Sequence, residues 1–282
     1  SNIHTSTLTT MILCGEHAET VSLSQKIDKR FVLYGFSKTH DWNARNIDYR
    51  GTRCRFDLYR KDKKVDQIEL NLPGKHNVLN SLAAIAAAEE IGVPMSAIKK
   101  ALKTFGGVRR RMEVLYKGHE IVAIDDYGHH PTEIKATLET LRHAFAGRLV
   151  VLFQPHRYTR TRDLFADFLK SFDCADRLFV TDIYAASEKP IKGVSAQKLV
   201  RALGKSRRQE TGVRSQKIEK GKFKGPSVGS CVGNVEYLSR GSDIEKRILS
   251  ELKPCDVFLS LGAGDVTRLG HNVAKELKRR FG

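Results

Sequence analysis

The sequence predicts an α/β protein in two parts: strands followed by helices, then a Rossmann-like, doubly wound, mostly parallel sheet. Three features carry that expectation. Between residues 30 and 72, short runs alternate apolar with polar residues, the mark of strands buried on one face. Beyond residue 107, unbroken apolar runs alternate with amphipathic segments, as in parallel strands covered by helices on both faces. Between them, "GGVRRRMEV" (106–114) is a natural boundary, dividing the chain into 1–107 and 108–282.

In the first part, "RFVLYGF" (30–36), "NIDYR" (46–50), "RCRFDLYR" (53–60) and "VDQIELNL" (65–72) read as half-buried antiparallel strands, separated by the turn signals "RG" and "KDKK". The alanine-rich "NVLNSLAAIAAAEEIG" has helical spacing and stops at Gly92, before Val93 and Pro94. "SAIKKALKTFGG" adds a short helix ended by Gly106 and Gly107. In the second part the strand-helix pairs are "EIVAIDDY" with "TEIKATLETLRHAF", "RLVVLFQPH" with "TRDLFADFLKSF", and "RLFVTDIY" with "SAQKLVRAL". They continue as "VEYL" with "DIEKRILSEL", and "DVFLSLGAGD" with "VTRLGHNVAKELKRRF".

The 282 residues are 40% hydrophobic and 29% charged, enough chain for two cores. The longest apolar runs are too short, or too interrupted by Glu, to span a bilayer, and the N-terminal residues do not read as a signal peptide. A cytosolic location is the default expectation. Five widely spaced cysteines, none in a CxxC pair, read as reduced thiols rather than as disulfides or a zinc site. The net charge of +17 invites a nucleic-acid reading, but its distribution weakens it. From Arg201 to Gly225 nine Lys or Arg face two Glu with little apolar periodicity, which reads as a flexible basic insertion. Aromatic-interleaved basic patches and helix-turn-helix signatures are not found, which argues against nucleic acid as a partner.

Ligands of doubly wound sheets sit beyond the carboxyl ends of the strands, and the polar clusters fall there. They are "DDYGHHP" (125–131), "QPHRYTRTR" (154–162), "TDIYAASEKP" (181–190) and "GAGD" (262–265). His129 and His130 could be a metal pair, yet adjacent histidines need a third ligand and none is evident; one imidazole could equally be structural. Asp125 and Asp126 could hold ribose hydroxyls or a magnesium shell, or cap the next helix. Arg157, Arg160 and Arg162, interleaved with His156 and Tyr158, suit an anionic small molecule through bidentate guanidinium contacts. Asn77 and Asn80 share a helix face behind His76 and could read a flat heterocycle, or Asn77 could simply cap. "GKS" (204–206) is not a phosphate loop, because Leu199 stands where GxxxxGK[ST] requires glycine.

Taken in order, "GKHNVLNSLAAIAAA", "GVRRRMEV", "DDYGHHPTEI", "FQPHRYTRTRDLF", "TDIYAASEKPIKGVSA" and "LGAGD" closely resemble the Mur ligase family from about residue 11 to the end. "DDYGHHP" and "FQPHRYTRT" resemble the branch that adds L-alanine, and the basic stretch near 204–232 has no counterpart. The resemblance implies a cytoplasmic enzyme of peptidoglycan synthesis, and so of cell-wall biogenesis, cell shape and division. It would join L-alanine to the lactyl carboxylate of UDP-N-acetylmuramate, using ATP and Mg2+, through an acyl phosphate that the amine attacks. Such chemistry depends chiefly on positioning and charge neutralisation.

By the same resemblance His76, Asn77 and Asn80 contact adenine, Arg110 reaches the nucleotide phosphates and Asp126 the ribose. His129, Arg157 and Arg160 form the amino-acid side, lined by Tyr127, with the arginines opposite the alanine carboxylate. No metal ligand is assigned. Residues 1–107 would be the C-terminal portion of an ATPase-type central domain. The UDP-substrate domain, the glycine-rich phosphate loop and the magnesium-holding residues would be missing. The expectation is that this chain alone binds ATP weakly and ligates nothing. The alternative is a non-catalytic nucleotide- or partner-binding fragment that needs a separate N-terminal half.

Overall fold

The computed structural model describes residues 10–26, 28–214, 235–240 and 243–281, with the side chains of 206–214 excluded. The chain divides into two compact units, residues 1–106 and 107–282.

The first unit has a five-stranded sheet ordered β1-β2-β3-β4-β5. Its strands are β1 (Met11–Cys14), β2 (Phe31–Gly35), β3 (Trp42–Arg50), β4 (Arg53–Arg60) and β5 (Lys63–Leu70). The expectation of an all-antiparallel set is corrected: β1, β2 and β3 run parallel, and only β3-β4-β5 form an antiparallel meander. β1 and helix α1 (Ala18–Ser24), which joins it to β2, were not expected, and this short helix makes the parallel crossover possible. β3 begins four residues before the run read as a strand. Its register shifts between Arg45 and Asp48, where Asn46 sits at φ 52° and donates to Asp57 Oδ2 (2.9 Å). Asparagine tolerates this left-handed geometry, and the irregularity breaks the alternation that marks a strand. Helices α2 (Lys75–Glu90) and α3 (Met95–Thr104) pack Val78, Leu82, Ile85 and Ile98 onto Trp42, Phe56, Leu58 and Ile68.

The second unit has a six-stranded sheet ordered β10-β9-β8-β11-β7-β6. β6 (Glu113–Gly118) is an antiparallel edge beside β7 (Ile121–Asp126). β8 (Leu149–Phe153), β9 (Arg177–Thr181), β10 (Val235–Leu238) and β11 (Val257–Leu261) are parallel to β7. The chain runs outward from β8 to β10, then returns to place β11 between β8 and β7, so its helices divide between the two faces.

Alternate strand residues therefore enter different cores. Val151, Phe153, Leu178 and Leu259 meet α4 (Pro131–Ala144), α5 (Tyr158–Asp163), α6 (Phe165–Phe168) and α7 (Ala196–Arg214). Val150, Leu152, Phe179 and Phe258 meet α8 (Ile244–Glu251) and α9 (Val266–Phe281). Burial on both sides explains the unbroken apolar runs.

The basic stretch needs correction: α7 continues to Arg214, so residues 201–214 are helical rather than loop. The rest, 215–234, lies outside the described residues, as does Cys231. The described cysteines are free. Among the described residues no helix is long and apolar enough to cross a membrane.

Candidate active site

Four loops at the carboxyl ends of β7, β8, β9 and β11 bring the polar clusters of the second unit onto one rim. The two aspartates at the end of β7 are both buried and face different partners. Asp125 accepts from Ser260 Oγ (2.5 Å) and Thr267 Oγ1 (2.6 Å). Asp126 accepts from Met112 N (2.9 Å), Gly128 N (2.8 Å) and Thr137 Oγ1 (3.3 Å). Burial pushes the Asp126 carboxyl above its ordinary range, against those hydrogen bonds. This carboxylate ties the β7–α4 loop to neighbouring backbone.

Arg110 is engaged within the second unit. Its Nη2 donates to Gly262 O (2.7 Å) and Gly264 O (3.2 Å), and its Nε lies 3.7 Å from Asp125. The guanidinium is a strut between the segment before β6 and the β11–α9 loop. Arg111, which sequence reasoning passed over, has a half-exposed guanidinium near Glu133 (3.6 Å) and over the Tyr127 ring (5.4 Å). A run of three arginines carries no signal for which one turns inward.

The two adjacent histidines take different roles. His130 is the N-cap of α4: its Nδ1 accepts from Thr132 N (3.3 Å), while Glu133 reaches back to His130 N (3.2 Å). His129 Nδ1 lies 3.0 Å from Tyr127 O. A carbonyl can only accept, so Nδ1 carries the proton and Nε2 of the neutral ring is an acceptor. His156 stands 5.4 Å from His129, centroid to centroid, and stacks on Tyr184 at 5.4 Å. Arg160 Nη1 lies 3.1 Å from His156 Nδ1, which must accept from a guanidinium.

The rim is electropositive around these rings. Burial, then His129, Arg160 and Arg157, push the His156 pKa down to about 4. Burial lowers His129 as well; the Tyr127 carbonyl opposes this and Arg160 adds to it. Both imidazoles are neutral at pH 7. The structure thus brings Tyr127, His129 and Arg160 together, and adds His156 and Tyr184, which were not among the expected site residues. Arg157 precedes α5 with its amide on Tyr184 O (2.8 Å). Below them Gln154 Nε2 donates to Asp265 (2.6 Å) and its Oε1 accepts Val266 N (3.1 Å), pinning the start of α9. Gly264 is required there, since a Cβ would lie 2.2 Å from Gln154 Oε1 and 2.7 Å from Tyr184.

In the first unit, His76, Asn77 and Asn80 occupy the first two turns of α2, His76 and Asn80 exposed and Asn77 half-buried. Asn77 Nδ2 donates to Pro73 O (2.7 Å), leaving its carbonyl oxygen and a second N–H for a ligand. Asn77 and Asn80 share a face, an arrangement that fits a flat heterocycle.

Magnesium finds no comparable fit. Among the described residues, one group of three candidate metal ligands converges within 4.8 Å: Glu113, Asp125 and His271. Asp125 there is fully buried, bonded to two hydroxyls and beside a guanidinium, whereas magnesium keeps waters and an open octahedral shell.

Comparison with known proteins places this geometry in context. Residues 110–264 match the family model "Mur ligase, glutamate ligase domain", and residues 4–88 match "Mur ligase middle domain". A UDP-N-acetylmuramate–L-alanine ligase of Sorangium cellulosum is 41% identical over 90% of this chain and 50% of its own length. One from Anaeromyxobacter dehalogenans is 40% identical over 95% of this chain and 53% of its own. The chain thus spans about half the length of the curated relatives it matches. The crystal structure of UDP-N-acetylmuramate-alanine ligase MurC from Thermotoga maritima superposes with a TM-score of 0.69 at 26% identity. It covers 93% of this chain and 51% of that one. A MurF ligase from the same organism, in complex with ADP, shares the fold at TM-score 0.65 and 14% identity, over 96% of this chain and 54% of its own.

Proposed function

Because this chain belongs to the Mur ligase family, one family model covering more than half of it, we propose that it takes part in ATP-dependent ligation of L-alanine to UDP-N-acetylmuramate, in cytoplasmic peptidoglycan precursor synthesis. The names of its relatives support the reaction class. The observation that carries the reading is the rim where His129, its Nε2 an acceptor, stands beside His156 and the guanidinium of Arg160, with Arg157 close enough to act on His156.

An amino-acid nucleophile brings a carboxylate to be held and an ammonium that must lose protons. Arg157 and Arg160 take the carboxylate, the guanidinium fork matching its two oxygens. Tyr127, in edge contact with His129 at 5.3 Å, lines the site. As the amine nitrogen bonds to the activated lactyl carbon, His129 Nε2 accepts the proton it sheds, and the leaving group departs with the electrons of the broken C–O bond. ATP, when bound, supplies the phosphoryl group that activates the lactyl carboxylate. His76, Asn77 and Asn80 are assigned to its adenine. Of the adjacent arginines before β6, Arg110 is engaged within the fold and Arg111 presents the exposed cation. The buried Asp126 is assigned to holding its loop rather than to a ribose.

The 282 residues contain no GxxxxGK[ST] run, so ligation is proposed to need a segment that carries one. The test is incorporation of radiolabelled L-alanine into UDP-N-acetylmuramate with ATP. We expect none from the chain alone and turnover when it is joined to, or mixed with, the phosphate-loop half of a relative. Turnover by the chain alone would refute the requirement. Failure with the companion, when the intact relative is active in parallel, would refute the function.

A further inference from the structure

α5 carries Arg160 and follows Arg157, yet its own sequence does not cap it. Arg157, at the N-cap, makes no side-chain capping bond and sits at φ 72° and ψ 140°, a region that a long side chain rarely adopts. The cap comes from the neighbouring loop. Thr159 N donates to Glu188 Oε2 (3.0 Å) and Thr159 Oγ1 to Glu188 Oε1 (2.6 Å). Glu188 follows two consecutive left-handed residues, Ala186 (φ 47°) and Ser187 (φ 71°), in a turn closed by Glu188 N on Ala185 O (3.0 Å). Further up, the two loops are zipped by Arg157 N on Tyr184 O and Tyr184 N on Pro155 O, each 2.8 Å. Strain at three non-glycine residues on two facing loops needs contacts that over-determine it, and Glu188 supplies two of them.

We propose that Glu188 is a positioning residue for amino-acid recognition: by capping α5 from the neighbouring loop, it sets where Arg157 and Arg160 stand against His156. This rests on the reading of the rim as an amino-acid site. The opposing possibility is that Glu188 acts only as a charge near Arg157, and the two predict opposite signs. A bare anion competes for the arginines, so its removal tightens carboxylate binding; a strut holds them in place, so its removal weakens it. The same opposition appears at His156. Glu188 by its charge raises that imidazole's pKa, whereas Arg157 and Arg160 lower it. Deleting a mere charge drives the His156 pKa lower still. Deleting a strut lets the arginines relax away, and the pKa rises.

The experiment follows the ring resonances of His129 and His156 by NMR in the full chain, in Glu188→Ala, Glu188→Gln and Thr159→Val. L-alanine is titrated first, then pH. In Glu188→Ala we expect L-alanine to bind about tenfold more weakly, and the His156 pKa to move up from about 4, in part only, because burial and His129 still lower it. Glu188→Gln, which keeps an accepting oxygen for Thr159, falls between. Thr159→Val, which removes the hydroxyl but no charge, reproduces the direction of Glu188→Ala and serves if that variant does not fold. Unchanged or tighter L-alanine binding, together with a His156 pKa that stays or falls, overturns the proposal. If L-alanine leaves the wild-type resonances unmoved, the amino-acid reading fails, and the His156 titration still decides the positioning role by its sign.

Discussion

Replacing Arg110 by alanine is expected to destabilise the second unit by about 3 kcal/mol, while Arg111→Ala stays within ~0.5 kcal/mol of wild type. The first figure comes from what the guanidinium touches. A hydrogen bond from a charged donor contributes roughly 1.5–3 kcal/mol. Arg110 makes one at 2.7 Å to Gly262 O and a weaker one at 3.2 Å to Gly264 O. It also stands 3.7 Å from the fully buried Asp125, which keeps its two hydroxyl donors when the arginine is lost. The Arg110 side chain is 27% exposed, so water recovers part of the loss, and the lower half of the summed range applies. Arg111 has 51% exposure and one ion pair at 3.6 Å, a surface arrangement of little energetic weight.

For a unit of this size 1 kcal/mol corresponds to roughly 2–4 °C, so the Arg110→Ala transition should fall by about 6–12 °C. Calorimetry measures it, and hydrogen exchange in β11 and α9 identifies the transition as that of the second unit. The single tryptophan, Trp42, lies buried in the first unit, and its fluorescence should keep the wild-type midpoint. A thermally neutral Arg110→Ala, or a larger loss in Arg111→Ala, would refute the assignment of Arg110 as the strut.

Two further outcomes follow from the same loops. The His156 pKa of about 4 in the folded chain lies below the ~6.5 of an unfolded one. Between these values the unfolded state binds a proton that the folded state does not, so stability falls as pH drops from about 6.5 to about 4. His156→Gln should flatten that part of the profile, read as urea midpoints across the window; an unaltered slope would exclude His156 as its source. Gly264→Ala forces a methyl against Gln154 Oε1 and the Tyr184 ring, an overpacking worth ~1–3 kcal/mol. Faster exchange of the Val266 amide, which Gln154 holds, should accompany it, and a wild-type rate would show that the loop adjusts without loss.

The parts of the fold that were legible had strong periodicity. Strands such as Leu149–Phe153 and Val257–Leu261 are buried on both faces, and their unbroken apolar runs announce it. The first unit was less readable because its information is not periodic. β1 is four residues of intermediate exposure, and the register of β3 slips at Asn46, so the parallel half of that sheet left no pattern to count. In the basic stretch, charge concealed a helix: the lysines and arginines that read as solvated loop are also good helix formers, and α7 runs through them to Arg214.

Residue order alone carries the inventory of chemistry and its place in the fold. Polar clusters follow apolar strands, parallel strands point one way, and four loops therefore share a rim. The tertiary structure decided how the groups divide. Asp125 and Asp126 are neighbours in sequence yet bond to different elements, because successive strand residues face opposite sides of the sheet. Arg110 and Arg111 separate into an inner strut and an outer cation, and His129 and His130 into a ring with an accepting Nε2 and a helix cap. Adjacent residues of one type look alike as letters. Their protonation and availability depend on burial and on partners up to 154 residues away, as the bond between Arg110 and Gly264 illustrates, and chain folding alone brings such partners together.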